Sequence, residues 1–189
     1  MGLDTPPNSW DRYMEISSKQ PPRPTLVEAL HHVQTKKAAL DLGSGAMVDT
    51  AYLVEEGFER VVAVDKYNHE IAMGVDLPGV ERVIIPFDEY EFPADTFDLI
   101  NAQRSLPFNP PVSFNEVFSR LKASLKKDGI FVGQFFHCLP GHTGNENMTY
   151  HTLEEVGKLL EGMEVILLSE DSPQSGSTWS KIHVIARKA

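Results

Sequence analysis

The stretch Asp41-Leu42-Gly43-Ser44-Gly45-Ala46 closes an apolar run that begins at Ala38, and an acid, Asp65, follows twenty positions after Gly45. Gly43 and Gly45 carry no Cβ, so the backbone there can turn sharply and come close to a ligand. Asp65 ends its own apolar run, Val61-Val62-Ala63-Val64. In a strand–loop–helix–strand unit an acid so placed reaches a ribose. Together these residues imply a nucleoside-containing ligand on a doubly wound sheet.

The pattern outward from this stretch alternates. Apolar runs fall at 38–42, 60–64, 82–86, 97–102, 129–136, 163–168 and 182–186. Each is short, rich in Val, Ile or Phe and bounded by polar or turn residues, which predicts strands. Helical spacing is expected over 24–35, Ala46–Glu56, His69–Val75 and 113–127. In the last of these Ser113 and Glu116 read as a capping box, with Gly129 past the end. Thr152 and Glu155 repeat the device before Val156, Leu159 and Leu160. Alternation of strand and helix predicts an α/β protein whose mostly parallel sheet is covered on both faces. Residues 169–181 show no helical pattern, so the last two strands should form an antiparallel hairpin. The expected fold class is therefore a seven-stranded, mostly parallel, doubly wound sheet of Rossmann-like type that ends in an antiparallel hairpin. Residues 1–23, with Pro6, Pro7, Pro21 and Pro22, predict an irregular arm docked through Trp10, Tyr13 and Met14. Residues 24–189 then form one domain.

Composition narrows the function classes. The 189 residues suit one domain with a buried core. A net charge of −10 argues against a nucleic-acid partner. Lys122, Lys126 and Lys127 read as a solvated helix face. Cys138 is the sole cysteine, so a disulfide framework is excluded and a reducing compartment is expected. No apolar stretch approaches a membrane span, the first residues do not read as a signal peptide, and Pro6 stands where N-myristoylation needs Ser or Thr. A cytoplasmic location is the expectation. His31 and His32 lack metal-ligand spacing, and no metal is expected.

The candidate site lies along one edge of the expected sheet. A dinucleotide loop needs a small third residue where Val48 stands. The loop alone reads equally as a strand-to-helix turn with no ligand. Asp65 could accept from both ribose hydroxyls, or cap a helix. Asp88, after the third strand run, could accept from an adenine amine, with the Glu89 backbone N–H on a ring nitrogen; both also read as plain surface. Asp41, Asp65 and Asp88 at three successive strand ends make the constellation, because open α/β sheets bind ligands along that edge. The fourth strand run ends at Gln103-Arg104, where Gln103 is expected to line the ligand or to satisfy backbone groups, and Arg104 reads equally as facing a substrate or as pairing with a surface acid. Asn109-Pro110-Pro111-Val112 compares with the Asn-Pro-Pro-Tyr motif of amino-group methylases. It comes late and lacks the aromatic, and its expected role is to steer the chain into the next helix.

The series Ala39–Gly45, Ala63-Val64-Asp65, Phe97-Asp98-Leu99-Ile100 and Ser105-Leu106-Pro107-Phe108 resembles small class I S-adenosylmethionine-dependent methyltransferases. Gly133-Gln134-Phe135-Phe136, Met148–Thr152 and Ile182–Lys188 resemble the later segments of the bacterial tellurite-resistance and thiopurine methyltransferase-like group. The likeness covers most of residues 22–188. It implies S-adenosylmethionine as cofactor, with Gly43, Ser44, Gly45, Asp65, Lys66, Asp88, Glu89 and Gln103 as contacts, Asp41 near the ammonium and Arg23 on the methionine carboxylate. It also implies that Trp10 and Tyr13 close over the site and, with Arg104 and Phe108, meet the acceptor. Family loops carry a further glycine where Met47 stands, so Met47 is expected to narrow the space beside the methionine moiety.

The function expected is methyl transfer to a small-molecule acceptor. A soft nucleophile needs no base; an oxygen or nitrogen nucleophile does, and His137, at the end of the fifth strand, is the candidate by position. A structural role for His137 reads as well, and His151 and His183 read as structural. The alternatives are a non-catalytic S-adenosylmethionine-binding or interaction module of the same fold and a nicotinamide oxidoreductase, the latter disfavoured by Val48 and the terminal hairpin.

Overall fold

The computed structural model describes residues 7–69, 72, 76–173 and 176–189. Helices α1 (Pro7–Ser17) and α2 (Pro24–Leu30) precede β1 (Ala38–Leu42), α3 (Val48–Glu55), β2 (Arg60–Asp65), β3 (Val80–Ile84) and β4 (Phe97–Ala102). A 3-10 turn at Leu106–Phe108 leads into α4 (Pro111–Ser124), β5 (Leu125–Cys138), α5 (Leu153–Leu159), β6 (Met163–Glu170) and β7 (Trp179–Lys188). The seven strands form one sheet in the order β3-β2-β1-β4-β5-β7-β6. All pairs from β3 to β5 are parallel; β7 runs antiparallel to both β5 and β6. The sheet thus bears out the expected class, terminal hairpin included.

The central strands are legible because helices cover both their faces. Every residue of β1 and of β4 is buried, as a parallel sheet between two layers requires. One face packs Leu40, Leu42, Ile100, Phe118, Phe131 and Phe135 into the larger core. The other packs Ala39, Val61, Leu99, Val132 and Ile185 against Leu26, Leu30 and Leu53 of α2 and α3. Strand order reverses beside β1, because β2 lies on one side of it and β4 on the other. Crevices open at that point, at the carboxyl ends of the strands.

Several boundaries differ from expectation. The N-terminal arm contains a helix, α1, in place of irregular chain, and α2 stops at Leu30. The 69–75 helix falls largely outside the described residues. Strand β3 ends at Ile84, so Asp88 sits in the turn beyond it. The Ser113–Glu116 capping box is not formed. Pro111, with its preset φ and missing N–H, starts α4 two residues before Ser113, and no side chain caps it. Gly129 does not cap that helix either, since α4 ends at Ser124. Its missing Cβ instead lets the Phe97 carbonyl approach, within 3.0 Å of where that carbon would be. The Thr152–Glu155 box is complete in both directions.

Candidate functional site

The turn after β1 is built to sit against β2 and β4. The Gly43 and Ser44 N–H groups donate to the Val64 carbonyl at 2.7 and 3.1 Å. Gly43 has φ +84°, and a Cβ there would lie 2.3 Å from the Ser105 Cβ. Only glycine fits both demands. The Gly45 N–H donates to the Asp65 carboxylate at 2.9 Å, and the Tyr67 N–H reaches its other oxygen at 3.0 Å. Asp65 is thus fixed by backbone donors from two loops, and it couples the end of β2 to the glycine turn. Met47, the residue before α3, adopts φ +64°, a left-handed conformation that costs a residue with a Cβ roughly 1–2 kcal/mol. Its side chain is buried with Ala63 and Ala72 and does not face the ligand space, contrary to the expected narrowing.

A cavity of about 470 Å³ opens over this turn. It gathers Arg23, Asp41, Gly43, Ser44, Gly45, Asp65, Lys66, Asp88, Glu89 and Gln103, and also Trp10, Tyr13, Arg104 and Phe108. His137 is not among the lining residues. Its Nδ1 instead pairs with the Glu170 Oε1 at 2.9 Å across the β5–β7–β6 surface.

One end of the cavity is acidic. Asp41 is buried in β1, where Thr50 Oγ1 donates to it at 2.5 Å and Asn101 Nδ2 at 2.8 Å. The same amide reaches Asp49 at 3.3 Å. Burial, with the nearby Asp49 charge, pushes the Asp41 carboxyl up to about 7 against the two hydrogen bonds. Asp49 is pushed up by burial as well, partly offset by Arg23, whose backbone N–H donates to it at 3.0 Å. Two buried acids bridged by one amide favour a cation beside them, since a cation relieves the cost of ionising both. Asn101 Oδ1 is buried without a hydrogen-bond partner and stands beside this pair.

The other end is aromatic and basic. Trp10 meets Tyr13 and Phe108 edge-on, with ring centroids 5.9 and 5.1 Å apart. The Tyr13 hydroxyl accepts from Arg104 Nη1 at 3.0 Å and from Arg23 Nη2 at 3.5 Å. Arg104 holds φ +53°, outside the ordinary region for a residue with a Cβ. Gln103 and Ser105 are buried, and Gln103 Nε2 and Ser105 Oγ lack partners.

Several lining residues carried no sequence signal. Asp49 reads as an ordinary acid in the first turn of a helix, Tyr67 and His69 follow Asp65 without a motif, and Asn109 and Asn147 belong to unpatterned loops. Asn101 does not line the cavity but bridges Asp41 and Asp49 from near the end of β4; a polar residue in a strand buried on both faces was the available clue.

Comparison with known proteins gives the context. Residues 40–133 match the family model described as a methyltransferase domain. No curated protein sequence matches the chain significantly. Among solved structures, the 1,6-didemethyltoxoflavin-N1-methyltransferase of Burkholderia thailandensis, with bound 1,6-didemethyltoxoflavin and S-adenosylhomocysteine, aligns with TM-score 0.75 at 22% identity, over 96% of this chain and 84% of that one. The N-methyltransferase NodS of Bradyrhizobium japonicum aligns with TM-score 0.68 at 14% identity, over 98% and 99%. TehB of Haemophilus influenzae aligns with TM-score 0.72 at 15% identity, over 88% of this chain and 62% of that one. Among the described residues no helix is long and apolar enough to cross a membrane.

Proposed function

Given that the chain is an S-adenosylmethionine-dependent methyltransferase of class I, we propose that it methylates a small molecule bound between the arm helix α1 and the loop after β4. One observation carries this reading: a single cavity joins the acid-rich rim of the sheet to the Trp10, Tyr13, Arg104 and Phe108 cluster. A donor at one end and an acceptor at the other can meet there.

The residues fit the cofactor. Asp41 and Asp49, bridged by the Asn101 amide, form an acceptor-rich end of the cavity suited to the methionine ammonium. Arg23 supplies a guanidinium for the carboxylate. Asp65, already oriented by two N–H donors, presents its remaining lone pairs to the ribose. Lys66, Tyr67, Asp88 and Glu89 line the outer end, suited to adenine. When bound, S-adenosylmethionine supplies an electrophilic methyl carbon on a sulfonium sulfur. The protein then has to exclude water and align the nucleophile, and such positioning is worth roughly 7–11 kcal/mol at best.

Trp10, Tyr13 and Phe108 provide apolar faces for an acceptor, and Arg104 a charge. Two of the similar structures are N-methyltransferases, which supports a nitrogen acceptor. The narrower kinship with the tellurite-resistance and thiopurine group is part of this reading and concerns the scaffold. Met47 points away from the cavity, which removes one support for a non-catalytic module. Calorimetric titration with S-adenosylmethionine and S-adenosylhomocysteine tests the proposal. Saturable binding that Asp65→Ala weakens is expected; absence of binding to the wild type overturns it.

A further inference from the structure

The sequence offers His137 as a candidate base, but His137 does not line the cavity. Tyr13 stands in its place. It lines the aromatic end of the cavity, beside Trp10, Phe108 and Arg104. Arg104, just past β4, and Arg23, just before α2, both donate to its hydroxyl. The Ser17 hydroxyl, one turn along α1, also faces that oxygen. Two charged donors on one phenol oxygen favour its deprotonated form over the neutral one.

We propose that Tyr13 is the proton acceptor of the methyl transfer, and that the acceptor substrate is an N–H or O–H nucleophile. This rests on the methyl-transfer reading above. The nucleophile's electron pair forms the new bond to the methyl carbon, and the carbon–sulfur pair returns to sulfur. The proton leaves the nucleophile for the Tyr13 oxygen. Arg104 stabilises the phenolate before the transfer and holds the phenol in place after it.

The surroundings agree. Burial opposes ionisation of Tyr13, but the Arg104 hydrogen bond and charge, with Arg23, outweigh it and leave the phenol below its ordinary value. The facing groups are Arg104, Arg23, Ser17 on its own helix, and Asp49 behind Arg23. Asp49 opposes phenolate formation least while protonated, and its own carboxyl is pushed up. The rival bases are engaged elsewhere. His69 lies 3.8 Å from Asp65 at the ribose end, and Asp49 is held by Arg23 and Asn101.

The test has two readouts. Phenolate absorbance is titrated in the cofactor-free wild type, Tyr13→Phe and Arg104→Gln. One of the five tyrosines should ionise ahead of the rest, disappear in Tyr13→Phe and move upward in Arg104→Gln. Methyl transfer is then measured with benzimidazole, catechol and thiophenol as probes, alongside S-adenosylhomocysteine affinity. Tyr13→Phe should lower turnover of the N–H or O–H probe by roughly 10²–10⁴-fold. Affinity for S-adenosylhomocysteine should change by far less than turnover does, and turnover of thiophenol, which ionises unaided, should be affected far less than that of the N–H or O–H probe. An early-ionising tyrosine that persists in Tyr13→Phe overturns the assignment. So does full N–H or O–H turnover in that variant. Failure of the wild type to bind S-adenosylhomocysteine defeats the methyl-transfer reading instead, and the titration reads Tyr13 independently of it.

Discussion

Asp41 and Asn101 face each other in register on neighbouring parallel strands, and the Asn101 amide donates to the Asp41 carboxylate at 2.8 Å. That contact puts a titratable group in the middle of the sheet. In the folded protein the Asp41 carboxyl is raised by burial and by Asp49 to about 7, from 3.8. A raised carboxyl binds its proton more tightly in the folded state. Its contribution to stability is full below the unfolded value and is lost as pH rises through the folded one. Asp41→Asn removes the ionisation, and the Thr50 hydroxyl can turn to accept from the new amide. Urea denaturation should find the variant more stable than wild type at pH 8 by about 1–3 kcal/mol, with the gap closing toward pH 5. An equal gap at both values would remove the buried charge from the account.

On the proposed reading the same group governs cofactor binding. An ammonium beside Asp41 needs a carboxylate, so binding favours the deprotonated form. Affinity for S-adenosylhomocysteine should therefore fall as pH drops below about 7, and proton release should accompany binding near neutrality. Calorimetry in two buffers of different ionisation enthalpy measures that release. Identical heats in both buffers would contradict it.

Asp65→Ala should act twice. It deletes the acceptor that the proposed reading offers to the ribose, and it frees the Gly45 and Tyr67 N–H groups, held now at 2.9 and 3.0 Å. Loss of hydrogen bonds to a charged acceptor costs about 1.5–3 kcal/mol. S-adenosylhomocysteine binding should weaken roughly 10- to 150-fold, by the conversion of 1.4 kcal/mol per decade. A variant with wild-type affinity would leave the ribose to some other residue.

How far the sequence could be read follows from what each residue does locally. Strands β1, β2 and β4 announced themselves because both faces are buried, and a run of Val, Ile and Leu between turn residues has no other comfortable place. The placement of the glycine turn and of Asp41, Asp65 and Asp88 around one cavity could be read because each follows the end of a legible strand. Helix α1 was missed because prolines flank it and its exposed Ile16 blurs the apolar stripe. The Ser113 cap was misplaced because Pro111 starts the helix earlier, and backbone preference outranked the side-chain signal. Asp49, Asn101 and the Tyr13–Arg104 contact could not be read, since Tyr13 and Arg104 meet across 91 residues. Only the fold brings such partners together.

Met47 offers a test of magnitudes. Replacing it by glycine relieves the left-handed backbone, worth roughly 1–2 kcal/mol. It also empties the space the side chain fills beside Ala63 and Ala72, and deletion of a buried Met costs about 2–5 kcal/mol. Packing should win, leaving Met47→Gly less stable by about 1–3 kcal/mol. Because the side chain does not line the cavity, S-adenosylhomocysteine affinity should change less than about twofold, under 0.5 kcal/mol. A large gain in affinity would restore the view that Met47 crowds the methionine end.

His137 provides the contrast to Tyr13. Its ring pairs with Glu170 at 2.9 Å, and both side chains are about a quarter exposed, 24% and 26%. Glu170 also accepts from Ser180, and that bond, followed by His137, holds its carboxyl below the ordinary range. Removing the imidazole leaves Glu170 with the Ser180 partner and access to water, so no charge is stranded. A pair this open to solvent is worth about 0–1 kcal/mol. His137→Ala should therefore lower stability by no more than about that amount, and should leave both cofactor affinity and the pH profile of methyl transfer where they are in the wild type. Turnover and Tm measured on the same preparation decide the matter. A drop of tenfold or more in kcat with an unchanged Tm would return the base to the end of β5 and take it from Tyr13.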